Sequence, residues 1–170
     1  GCPTFQNSLS PPPDVVHYAV AMEFVVGTCN IRYAADDREN HWSTRLPLLA
    51  DTIRKAAPKV LGTQEGWEWQ LRELETELPD YHIVDDNRYW MEERMYPSLF
   101  VTSDATVHRS GDVWLSETPD LPGSRSFGSA YPRLMCWAEI SFPESPAFMC
   151  ANLHLDHLNS ETRVRQVEVA

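Results

Sequence analysis

From Tyr81 to Leu155 the chain offers five short runs rich in β-branched and aromatic residues: "YHIVD", "SLFVT", "TVHRSGDVWLS", "RLMCWAEISF" and "AFMCANLHL". Loops join them, and no run with helical spacing intervenes. Consecutive strands leave backbone donors and acceptors that only sheet pairing satisfies, so this half of the chain must build a sheet. The half before it has another rhythm. "MEFVVGTCNIRY" predicts a strand over about 22–32. In "HWSTRLPLLADTIRKAA", Leu46, Leu49, Ile53 and Ala56 recur at i, i+3, i+7 and i+10, which is helical spacing. Ser43 or Thr44 stands where an N-cap is needed, Pro47 requires the first turn, and Pro58 ends the helix. "KVLGTQE" reads as a short buried strand. "WEWQLRELETEL" reads as a second helix with Leu71, Leu74 and Leu78 on one face. Strand, helix, strand, helix predicts α/β layering. A last helix, "SETRVRQVEVA", follows the strands with Asn159 or Ser160 as its cap.

A length of 170 residues fits one domain with a sizeable core. Residues 1–21 read as a proline-rich arm or extension and 22–170 as the domain. No stretch of eighteen apolar residues is present, so no membrane partner is expected. The 25 acidic and 14 basic residues give a formal charge of −11, which opposes non-specific binding to nucleic acid. It leaves a phosphate ester open as substrate, because a bound cation inverts the local field. Of the four cysteines, Cys29, Cys136 and Cys150 sit in apolar runs and read as buried small hydrophobes; no C-x-x-C pair occurs.

Two stretches carry candidate chemistry. Glu65 ends "VLGTQE", where a strand through the core would deliver a carboxylate to its C-terminal edge; on its own it reads as a strand-end acid exposed to water. In "ANLHLDHLN", strand alternation puts Asn152, His154 and Asp156 on one face. His154 there can stabilise a transferred phosphoryl group or act as an acid. His157 either lines the pocket or caps the next helix. No second group at metal-ligand spacing supports a zinc cluster, and no G-x-S-x-G elbow supports a serine nucleophile.

"GTCNIRY", "GTQE", "WLSETPDLPGS", "PRLMCWAEI" and "NLHLDH", in this order, resemble the endonuclease/exonuclease/phosphatase superfamily of metal-dependent phosphoesterases. Asp37, Glu39, Asn40, Trp42 and Arg45 match a further pattern of one branch, D-x-E-N-x-W-x-x-R. The resemblance covers about 22–170. It implies an α/β fold, a four-layer sandwich of two packed β-sheets flanked by helices. It implies Mg²⁺ (or Mn²⁺) as cofactor, with Glu65 as metal ligand, Asn30 and His154 as catalytic residues, and Asp156 supporting His154. Where some branches place an acid after the first-strand asparagine, this chain has Arg32. In the loop "WLSETPDLPGSRSFGSAYPR", Arg133 or Arg125 is available to pair with phosphate, or both form surface salt bridges. Asn152 and His157 join Arg133 as substrate-binding candidates. "NRYWMEERMYPS" is a second candidate pocket wall, and Gln64, Trp67 and Gln70 flank the metal or pack the helix. The implied substrate is a nucleotide, RNA or small phosphoester.

The family's later motifs, "G-D-x-N" and a terminal "S-D-H", do not occur before Ala170. The expectation is therefore an N-terminal portion that exposes apolar residues on its cut face, with a second chain or segment completing the fold. A non-catalytic assembly subunit is the alternative.

Overall fold

The computed structural model describes residues 23–35, 40–86, 88–92 and 94–170. The expected arm over 1–21, Cys2, and Asp37 and Glu39 of the acidic loop lie outside these residues.

The expected order of elements is found. Strand β1 (Val26–Asn30) is followed by helix α1 (Trp42–Ala56), β2 (Val60–Gly66), α2 (Glu68–Glu77), β3 (Tyr81–Val84), β4 (Tyr96–Thr102), β5 (Thr106–Trp114), β6 (Leu134–Ser141), β7 (Phe148–Leu153) and α3 (Ser160–Val169). Two sheets form. The first has order β1-β2-β4-β3, with β1 parallel to β2 and the other pairs antiparallel. The second is the antiparallel meander β5-β6-β7.

Alternation along the strands explains the layers. Leu61, Ile83, Tyr96 and Phe100 leave the first sheet on one side and pack with Trp42, Ala50 and Ile53 of α1 and with Leu71 and Leu74 of α2. Val60, Val84, Leu99 and Val101 leave on the other side and meet Cys136, Ala138, Ile140 and Phe142 of the second sheet or its end. Asn152, from β7, crosses the same interface: its Nδ2 donates to the Thr63 carbonyl at 2.7 Å and the Ser98 carbonyl at 3.0 Å, and its Oδ1 accepts from Gln64 at 2.7 Å. Gly62 leaves room for it, since a Cβ there would lie 2.9 Å from Asn152 Cγ. The three described cysteines are free thiols, and burial pushes the Cys136 thiol up to about 12.

Several local expectations are corrected. Helix α1 begins earlier than Ser43: His41 is its N-cap, and the ring accepts from the Ser43 backbone N–H. Pro47 consequently lies inside the helix, in its second turn, where it forgoes one backbone bond. Strand β1 stops at Asn30 because Arg32 takes a left-handed φ of 54°. Strand β7 stops at Leu153, so Asn152, His154 and Asp156 do not share a strand face. Asn159 caps α3, accepting from Glu161 N–H at 2.9 Å. Exposed apolar side chains gather on edge and end elements: Val25 and Val26 at β1, Met149 on β7, Val164 and Val167 on α3.

Candidate active site

Parallel β1 and β2 deliver Asn30 and Glu65 to the same end of the first sheet, where β7 also ends. The pairing register sets Asn30 opposite Gln64. The ladder between β2 and β4 then shifts between Thr63 and Gly66, and Glu65 adopts a left-handed φ of 64°. A non-glycine residue rarely holds this conformation without compensation. Here the kink turns the carboxylate toward Asn30, whose Nδ2 donates to Glu65 Oε1 at 2.8 Å. The Asn30 carbonyl oxygen is already engaged, accepting from Arg32 N–H at 2.9 Å, so Asn30 faces the site with its amide N–H groups. The loop beyond is pinned twice. Arg45 donates to the carbonyls of Ile31, Arg32 and Tyr33, and buried Gln70 accepts from Ala34 N–H while donating to the Arg32 carbonyl.

His154 Nε2 lies 3.8 Å from Glu65 Oε1. On the ring's other side, Arg133 Nη1 is 3.3 Å from Nδ1. An arginine nitrogen can only donate, so Nδ1 is the acceptor and Nε2 carries the proton toward Glu65. Burial, and next the Arg133 charge, lower the His154 pKa, with Glu65 opposing them. The imidazole is therefore neutral at pH 7. Arg133 itself is only 7% exposed. Its Nη2 lies 3.2 Å from His157 Nδ1 and its Nε has no partner. Burial lowers its pKa, while the charges of Asp156 and Glu65 pull the other way. Among the described residues no carboxylate pairs with it directly. The guanidinium is thus a buried cation between two imidazoles and over the Tyr131 ring, 5.9 Å from its centroid, an environment that suits an anion.

No family model and no curated protein matches the sequence. Solved structures do. A mannosyl-6-phosphatase of Bacteroides thetaiotaomicron superposes with a TM-score of 0.77 at 28% identity, covering 86% of this chain and 57% of that one. An endonuclease/exonuclease/phosphatase protein of Bacteroides vulgatus gives 0.77 at 28%, covering 83% and 56%. ANGEL2, a 2′,3′-cyclic phosphatase, shares the fold at 0.65 and 18% identity, covering 86% and 45%. The chain has the endonuclease/exonuclease/phosphatase fold. It spans a little over half the length of the two bacterial structures.

Within this endonuclease/exonuclease/phosphatase fold, the residues singled out from the sequence divide. Asn30, Glu65, His154 and Arg133 meet, with His157 at the rim, where its ring stacks on Tyr131 at 6.0 Å. His157 does not cap α3; Asn159 does. Asn152 does not face the site, because its donors and its acceptor are taken by the sheet interface. Asp156 does not orient His154. Its carboxylate accepts from Ser129 Oγ and the backbone N–H groups of Ala130, Leu158 and Asn159, fastening the 115–133 loop to the start of α3. Burial would raise its pKa, yet these four bonds hold it well below the usual carboxylate range. Arg125 is exposed and donates to the Ala130 carbonyl.

No three His, Cys, Asp or Glu side chains cluster as a metal cage among the described residues. Mg²⁺ does not need such a cage, since it is usually held by one or two carboxylates and takes waters and substrate oxygens for its other ligands. Glu65, turned outward at the cost of a strained backbone, fits that role. Ser129 and Gln166 were not anticipated. Gln166 donates to Ser129 Oγ and accepts from Asp156 N–H, both buried. A fully buried glutamine in a short helix whose other residues are largely polar was the only signal, and it cannot be read before burial is known.

Proposed function

We propose that the chain carries the metal- and phosphate-binding part of a Mg²⁺-dependent phosphoesterase, with Mn²⁺ as an alternative ion, hydrolysing a phosphomonoester or phosphodiester. The observation that carries this is Arg133: a buried guanidinium with no direct carboxylate partner among the described residues, aimed between two imidazoles and beside Glu65. The bacterial mannosyl-6-phosphatase and the cyclic phosphatase among its structural neighbours support the same class.

In the reaction, water adds to phosphorus in line, the ester P–O bond breaks, and the leaving oxygen takes up a proton. Glu65 would hold the cation, which supplies charge neutralisation and a more acidic water. Arg133 neutralises the non-bridging oxygens. Neutral His154 donates its Nε2–H to a phosphoryl oxygen, and Asn30 offers the amide hydrogen not used by Glu65. These donors are fixed beforehand, so they stabilise developing charge without reorganising.

Calorimetric titration of the chain with MgCl₂ and inorganic phosphate tests the site, and assays on nucleotide, sugar and RNA phosphoesters test the activity. Saturable binding and turnover, both lost in Glu65→Gln and His154→Ala, are expected. Phosphate affinity unchanged in Arg133→Met would sink the assignment. The exposed apolar side chains at β1, β7 and α3 support a completing segment or second chain. A mass above that of the monomer in the purified native species would reveal it.

A further inference from the structure

A cavity opens next to the stretch that follows Glu65 and takes no part in the chemistry above. It measures about 670 Å³ and is lined by the first turns of α2 and by the β3–β4 loop. Its apolar lining is Trp67, Trp69 and Met91. Trp67 stands two residues after Glu65, roughly 7 Å of chain at most. Its ring is 6.1 Å from that of Tyr33, on the loop that leaves Asn30, and 6.1 Å from that of Trp69. An aromatic wall therefore runs from the Asn30–Glu65 corner into the cavity. Trp69 and Tyr33 remain 44% and 40% exposed, Trp69 on the side of α2 away from the buried Leu71 and Leu74. The polar lining holds three carboxylates, Glu68, Glu73 and Glu92, and two arginines, Arg72 and Arg94. Glu68 and Glu92 are exposed carboxylates, which can only accept hydrogen bonds. Arg72 is already engaged by Asp85 at 2.5 Å and Glu75 at 3.4 Å. Arg94 has a buried Nε without a partner.

We infer that this cavity binds the neutral, hydroxyl-bearing part of the substrate, a carbohydrate ring, beside the phosphate held at Arg133. Three features select that class. Flat indole faces suit the C–H face of a sugar ring. Carboxylates suit hydroxyl donors. A lining with three carboxylates to two arginines, on a chain of formal charge −11, disfavours the repeated phosphates of a nucleic acid strand. A nucleobase would stack as well, but its strand would bring negative charge against Glu68 and Glu92.

The inference rests on the phosphoesterase reading for the phosphate end only, so the test uses ligands that carry no phosphate. The full 170-residue chain is titrated with a neutral disaccharide and, separately, with adenosine and a short oligothymidylate, following tryptophan fluorescence. A saturable change with the disaccharide is expected, weakened about tenfold in Trp69→Ala, a loss equivalent to one stacking contact. Glu92→Gln should weaken it too while leaving the thermal melting curve in place, which guards against a folding artefact. Disaccharide binding retained in Glu65→Gln while phosphate binding is lost separates the two sites. No saturable response to the disaccharide, or a stronger response to adenosine or the oligonucleotide, overturns the carbohydrate assignment. Loss of phosphate turnover with disaccharide binding intact would overturn only the phosphoesterase reading.

Discussion

Arg133 Nη1 sits 3.3 Å from His154 Nδ1, and this contact decides which ring nitrogen holds the proton. The guanidinium occupies the Nδ1 lone pair, so Nε2–H points to the space beside Glu65. The same guanidinium is buried and, among the described residues, makes no direct ion pair with a carboxylate. Stability and function should therefore respond to Arg133 in opposite directions. Arg133→Met removes an uncompensated buried charge and is expected to unfold at the same urea concentration or a higher one. It should also lose about a hundredfold in phosphoester turnover, as removal of one preorganised donor does. Urea melts and steady-state kinetics on the same preparation check both.

Glu65 carries a second opposition of this kind. At a φ of 64°, a Cβ is a liability. The usual ranking places alanine above glycine within a strand, by about 0.5–1 kcal/mol. Here it should invert: Glu65→Gly is expected to be more stable than Glu65→Ala by about 1 kcal/mol, with both variants blind to Mg²⁺. Because neither variant keeps the carboxylate, the comparison isolates backbone strain. Equal stabilities in chemical denaturation would show that the kink costs nothing.

Much of the frame was legible beforehand, and the reason is periodicity. Leu71, Leu74 and Leu78 repeat with the helix and are all buried; Phe100 and Val101 alternate to opposite faces as a strand requires. Asn30, Glu65 and His154 stand in motifs at strand ends, and the fold brings the three together. What escaped depends on partners distant in sequence. Asn152 and Gln64 are 88 residues apart, and nothing local to either shows that they bond. Asp156 looked like a companion of His154 because it is two residues away, but the chain leaves the strand at Leu153 and turns Asp156 toward Ser129 and Ala130. Arg125 and Arg133 were indistinguishable in one loop; only the fold buries one and exposes the other.

Asn152 is expected to matter for stability before it matters for turnover. Asn152→Ala leaves the Thr63 and Ser98 carbonyls without their side-chain donor at the sheet interface, and leaves the Gln64 amide only Thr28 Oγ1 as acceptor. A loss of about 3 kcal/mol follows from unpairing buried groups of this kind. Asn152→Asp should cost more, since a carboxylate offers no donor to either carbonyl. Gly62→Ala, whose Cβ would sit 2.9 Å from Asn152 Cγ, should reproduce part of the effect from the opposite strand. An aspartate variant as stable as wild type would contradict this reading of the interface.

Asp156 links the site's supporting loop to pH. Its folded pKa is depressed, because four hydrogen bonds to the charged carboxylate outweigh the cost of burying it. The unfolded chain then binds a proton more readily than the folded one. The stabilisation is fully present above the ordinary carboxylate value of about 4 and is lost as pH falls from there toward the folded value. Asp156→Asn lacks this titration and places an N–H₂ group among donors. Wild type should exceed it in unfolding free energy at neutral pH, and the gap should narrow at about pH 3. Urea titrations at both pH values measure the gap directly. A gap of the same size at both would mean that the carboxylate's charge does not hold the 115–133 loop to α3.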